Sequence, residues 1–125
     1  MQKQSIAIVG LGRVGSVFLE QLLGQSNKGV EIVAIAEKDQ TDGTTLAKAN
    51  GIENLNIDQL VAKGGDIDIL FDLTGSAAVR QELREKLMAS ENRHTVIATE
   101  SVALLIWALI TDGENLPDVH GKTGY

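Results

Sequence analysis

The stretch that most restricts what this chain can fold into is Ser5–Ile6–Ala7–Ile8–Val9–Gly10–Leu11–Gly12–Arg13–Val14–Gly15, an apolar run that breaks into three glycines and resumes with helical periodicity. A strand, a tight turn and a helix start in that order belong to an α/β fold. Gly10 permits the reversal after the strand, Gly12 leaves no side chain between the backbone and an approaching group, and Gly15 lets the helix come close to the sheet. Unpaired N–H groups gather at such a helix start, which makes the turn a seat for a diphosphate.

A second condition is met downstream. Val30–Glu31–Ile32–Val33–Ala34–Ile35–Ala36 reads as a strand, and Glu37 closes it 22 residues beyond Gly15. A carboxylate there accepts hydrogen bonds from an adenosine ribose and repels a 2′-phosphate, which favours NAD over NADP. Lys38 offers the opposite choice, because it can turn toward a phosphate. Thr74, Gly75 and Ser76 follow a strong apolar strand at 67–73, on the same edge as the glycine turn if the strands are parallel. Thr74 and Ser76 there either touch ribose or nicotinamide, or form a tight turn and a helix cap. Asp72 precedes that turn and is expected to orient it by hydrogen bonding. Glu100 follows the strand at 95–98 and opens toward the same edge, either to the ligand or, with Ser101, as a helix cap.

The remaining elements fall into an alternating order. Helices are expected at about 13–23, 44–50, 57–61, 77–89 and 102–110, with strands at 5–9, 30–36, 52–55, 67–73 and 95–98. The spacing of Val79, Leu83 and Leu87, with Ser76 as N-cap, marks the fourth helix. The fold expected is an α/β, Rossmann-like three-layer sandwich with a mostly parallel sheet of about five or six strands. Residues 1–110 form the dinucleotide-binding domain, and 111–125 a polar tail or a truncated connection.

Composition narrows the function. The formal charge is −6, from 11 Lys and Arg against 17 Asp and Glu, so neither nucleic acid nor an anionic membrane is an expected partner. There is no cysteine, hence no disulfide framework and no thiolate nucleophile. The longest apolar run, 102–110, is too short for a membrane-spanning helix, and the simplest compartment is the cytoplasm. His94 should begin the fifth strand at the edge opposite the ligand, and His120 lies in the polar tail. Two histidines so placed make no metal site, and no catalytic residue is assigned.

The helix at 102–110 has almost no polar face. Its outer side, drawn from Leu105, Trp107, Ala108 and Leu109, is expected to meet a second copy in a homodimer, a missing partner domain, or the tail folded back over it.

With these residues in place, the chain resembles the NAD(P)-binding N-terminal domain of the glucose–fructose oxidoreductase type and, more loosely, those of homoserine dehydrogenases and dihydrodipicolinate reductases. The resemblance is carried by IAIVGLGRVG at 6–15, VEIVAIAE at 30–37, DILFDLTGS at 68–76 and TVIATES at 95–101. It implies that Gly10, Gly12, Arg13, Val14 and Gly15 surround the pyrophosphate, Glu37 the adenosine ribose, and Thr74 with Gly75 the nicotinamide-side ribose. It departs at Glu100–Ser101–Val102, where the glucose–fructose oxidoreductase group commonly has Glu-Lys-Pro with its lysine near substrate. GLGRVG is also similar to the nucleotide-binding regulatory domains of potassium-transport systems, although Glu37–Lys38–Asp39 matches their acidic pair only partly. Three functions follow as expectations: an NAD(H)-binding redox-sensing or regulatory module, the cofactor domain of an NAD(P)-dependent oxidoreductase whose catalytic part lies elsewhere, or a dimerisation domain that has lost its ligand.

Overall fold

The computed structural model describes residues 3–111. Its strands are β1 (Gln4–Val9), β2 (Val30–Ala36), β3 (Glu53–Asn54), β4 (Ile69–Asp72) and β5 (Val96–Ala98). The helices are α1 (Arg13–Leu23), α2 (Asp42–Ala49), α3 (Ile57–Ala62), α4 (Ala77–Ala89) and α5 (Glu100–Ile110). All strand pairs are parallel, and the order across the sheet is β3-β2-β1-β4-β5. This is the α/β Rossmann-like architecture, with five strands among the described residues.

Alternation along β1 divides the core into two layers. Ile6 and Ile8 point to the face covered by α1, α2 and α5, where they meet Phe18, Leu19, Leu22, Ala47, Ala103 and Trp107. Ala7 and Val9 point to the other face, against Leu60 of α3 and Leu83 of α4. The small Ala7 and Ala34 on that second face let α3 and α4 lie close to the central strands. Phe18 packs edge-on against Phe71 of β4, with ring centroids 4.9 Å apart, and so fixes α1 over the centre of the sheet.

Local signals account for most helix starts. α2 starts at Asp42, two residues earlier than expected, because Thr41 caps it and forms a reciprocal capping box with Thr44. Asn56 and Gln59 form another at α3, and Ser76 Oγ accepts the Val79 N–H at α4. The last helix corrects the sequence reading twice. It begins at Glu100 after Thr99, with no side-chain cap, so Ser101 is inside it rather than its cap. Trp107 is not on the outer face: it is only 4% exposed and belongs to the core against α1, while Leu105 and Leu109 are 60% and 73% exposed. A run without polar residues carries no mark of which side faces the core. The expected tail, apart from Thr111, and His120 within it lie outside the described residues.

Candidate functional site

The carboxyl ends of β1 and β4 adjoin where the chain order reverses, β2 having left β1 on one side and β4 lying on the other. A crevice opens at such a switch point. Here it is a cleft of about 340 Å³ lined by Gly10, Gly12, Arg13, Val14, Gly15, Glu37, Lys38, Thr74 and Ser76 among others. A neighbouring cavity of about 640 Å³ shares Gly10, Glu37, Lys38 and Thr74 with it, and extends past Asn54 and Asn56 to α4. The sequence-derived residues therefore come together, with Gly75 between two residues of the cleft wall and Glu100 set back from it.

The three glycines of the turn differ in what they do. Gly10 has φ 95°, and a Cβ on it would lie 2.9 Å from both Cγ2 and N of Thr74. A Cβ on Gly15 would lie 2.0 Å from the Gly10 carbonyl oxygen. Both are required by the fold. A Cβ on Gly12 would meet nothing within 4 Å, so that glycine faces open space beside the cleft.

The start of α1 supplies donors to that space. The first helical bond runs from Ser16 N–H to Gly12 O at 2.8 Å, and Gly12 offers no side chain to cap the N–H groups ahead of it. Among the described residues, the N–H groups of Arg13, Val14 and Gly15 have no protein acceptor. Three free donors at the positive end of a helix suit a diphosphate, and the space over Gly12 lets it approach.

Glu37 is held from several sides. Its Oε1 accepts the Leu11 N–H at 2.7 Å and its Oε2 the Asp39 N–H at 3.0 Å. Each carboxylate oxygen has two acceptor positions, so both keep one for a hydroxyl donor. The Glu37 backbone is clasped by Asn54, whose Oδ1 accepts the Glu37 N–H at 3.0 Å and whose Nδ2 donates to Glu37 O at 2.9 Å. Lys38 is exposed at the cleft edge. Ser16 ties the glycine turn to α2, donating to Leu11 O at 2.9 Å and accepting the Gly43 N–H at 2.8 Å.

The opposite wall is fixed by Asp72, which is fully buried. Its Oδ1 accepts both the N–H (3.1 Å) and the hydroxyl (2.7 Å) of Thr74, and Thr74 Oγ1 accepts the Ser76 N–H at 3.0 Å. This is the orienting role expected of Asp72. Arg80 Nε donates to Asp72 Oδ2 at 3.2 Å, and its Nη2 donates to Glu100 at 2.9 and 3.3 Å. Glu100 thus joins α5 to α4 through Arg80. At the far edge of the sheet, Asp68 accepts the Ser5 N–H at 2.8 Å and pairs with His94 Nε2. The Ser5 hydrogen bond first, and the His94 bond second, hold the Asp68 carboxyl below its usual range.

Sequence reasoning missed Asn54, Ser16 and Arg80. Each acts on a residue 17 or more positions away, and only strand pairing and helix packing bring the partners together.

Comparison with known proteins bears on the family and the fold. A family model described as the NAD-binding domain of homoserine dehydrogenase matches residues 10–106. Among solved structures, homoserine dehydrogenase from S. aureus superimposes with a TM-score of 0.59 at 18% identity, covering 90% of this chain and 31% of that one. GenD2 from gentamicin A biosynthesis, in complex with NAD, gives 0.56 at 20% identity over 79% of this chain and 34% of its own. Apo scyllo-inositol dehydrogenase from Lactobacillus casei gives 0.59 at 16% identity over 88% and 34%. At these identities the likeness is one of fold, and the chain spans about a third of the length of these proteins. No curated protein matches the sequence. No helix among the described residues is long and apolar enough to cross a membrane.

Proposed function

The chain belongs to the family of homoserine dehydrogenase NAD-binding domains, and from that premise we propose that it binds NAD in preference to NADP, as the cofactor-holding part of a dehydrogenase. The observation that carries this reading is the Glu37 carboxylate, locked by the N–H groups of Leu11 and Asp39 beside three N–H groups of α1 that have no acceptor among the described residues. A fixed negative charge at that place accepts from ribose hydroxyls and opposes a 2′-phosphate.

In this reading the N–H groups of Arg13, Val14 and Gly15 bind the diphosphate, Glu37 orients the adenosine ribose, and Thr74 with Gly75 and Ser76 borders the nicotinamide-side ribose. When bound, the nicotinamide ring supplies a hydride acceptor or donor. The residues described here hold and orient it. Arg80 occupies the Glu100 carboxylate and Asp72 accepts the Thr74 hydroxyl, which favours a wall that positions the cofactor over one that moves a proton. Substrate groups then come from another segment or subunit, and the compartment is the cytoplasm. A regulatory module that reads the NAD(H) pool uses the same site, and the preference for NAD follows in either case.

Titration calorimetry of the chain with NAD+, NADH, NADP+, ATP and AMP tests the proposal. NAD+ or NADH is expected to bind more tightly than NADP+, and Glu37→Ala to weaken NAD binding more than NADP binding. The opposite ordering would assign the ribose pocket to Lys38. No saturable heat with any nucleotide would leave a ligand-free dimerisation domain as the better reading.

A further inference from the structure

β3 is an exposed edge strand of two residues, paired to β2 through Ala34↔Glu53 and Ile35↔Asn54. Its backbone ladder therefore stops short of Glu37, the last rung being Leu55 N–H to Ile35 O at 2.8 Å. Beyond that rung the Asn54 side chain takes over the pairing. Its amide accepts from Glu37 N–H and donates to Glu37 O, reproducing the donor–acceptor pair that a longer strand would present. Among short side chains, only the amide of Asn offers both functions without charge: Asp lacks the donor, and a serine hydroxyl reaches less far. Asn54 is also part of the wall of the larger cavity beside Glu37 and Lys38.

We infer that Asn54 is a positioning residue which, by holding the Glu37 backbone, sets the discrimination between NAD and NADP. The inference rests on the reading that Glu37 faces the adenosine ribose. Among the described residues, no other bond holds the Glu37 N–H and C=O. Released from Asn54, the Glu37 backbone shifts, and the carboxylate, left to its bonds with the N–H groups of Leu11 and Asp39 alone, is less well placed against the ribose, while Lys38 gains freedom to face a 2′-phosphate. Asn54 is itself exposed and outside both core layers, so its removal acts on the position of Glu37 more than on the stability of the fold.

The test is titration calorimetry of NAD+ and NADP+ with the wild-type chain, Asn54→Ala, Glu37→Ala and the double variant, with thermal melts alongside. Loss of two solvent-accessible hydrogen bonds is expected to lower NAD+ affinity about fivefold in Asn54→Ala, leaving NADP+ within about twofold of wild type. In the Glu37→Ala background the same substitution is expected to change NAD+ affinity by less than about twofold, because its effect passes through the missing carboxylate. Asn54→Ser, for the case that alanine frays β3, is expected to shift the NAD/NADP ratio in the same direction. An equal loss for both dinucleotides, or additive effects in the double variant, overturns the inference. A Glu37→Ala chain with the wild-type ratio would instead sink the ribose reading beneath it.

Discussion

Gly12→Ala separates binding from folding more cleanly than any other change in the turn. Gly12 sits at the N-cap of α1 with φ −73° and ψ −153°, a backbone conformation open to alanine, and its added methyl would touch nothing within 4 Å. Two effects on stability oppose one another. Alanine is a poorer N-cap than glycine, yet it restricts the unfolded chain, and each effect is worth about 0.5–1 kcal/mol. The melting temperature should stay within a few degrees of wild type. Gly15→Ala has no such freedom, since its methyl would fall 2.0 Å from Gly10 O, and a cost of about 3 kcal/mol is expected from overpacking. For the ligand the order reverses. A methyl on Gly12 stands in the open space next to the N–H groups of Arg13 and Val14, and lifts a diphosphate off at least one charge-assisted hydrogen bond. That loss is about 2 kcal/mol, or roughly thirtyfold in Kd. Circular dichroism melts paired with calorimetric titration of NAD+ give both numbers on one sample. A Gly12→Ala chain that melts like wild type and binds NAD+ within twofold of it would show that the diphosphate does not cross this glycine.

Two further outcomes can be checked separately. Asp68 has its folded pKa lowered by the Ser5 and His94 bonds, so its contribution is present above the unfolded value near ~4 and disappears as pH falls through the lower folded value. The gap in melting temperature between wild type and Asp68→Asn should therefore be wide above the unfolded pKa and narrow progressively as pH falls below it; a gap that stays constant from neutrality down to acid would contradict this. The stripe formed by Val102, Leu105 and Leu109 carries no charge, and offers two copies of a chain of net charge −6 a contact without opposed like charges. Sedimentation velocity should show a dimer that Leu105→Glu weakens. A monomer at high concentration would mean that a second copy does not cover this helix, and Trp107, being core, is the wrong residue for the experiment.

What could be read from the sequence was whatever depends on near neighbours. The glycine turn, the strand ending in Glu37 and the Ser76 cap are local patterns, and the short α3, expected at 57–61, is found at Ile57–Ala62. Asp72 was legible as the orienter of Thr74 because the two lie two positions apart. Asn54, Ser16 and Arg80 were not, since their partners are fixed only by the register of β2 with β3, by the packing of α1 on α2, and by the way the sheet brings the starts of α4 and α5 within reach of one ion pair. Trp107 was misplaced for a different reason: nine apolar residues in succession define a helix without defining its rotation. Contact with α1 settles that rotation, and no sequence pattern stands in for it.

The placement of α5 on the same side as α1 and α2 limits how the sheet can grow. Right-handed connections from that side carry the chain toward β3, as β1–α1–β2 and β2–α2–β3 do, whereas α4 on the other side carries it outward to β5. A strand following α5 by the same handedness would land where β4 already lies. The outer flank of β5 is therefore an open parallel edge among the described residues, and it lies on the side away from the one toward which α5 directs a right-handed crossover.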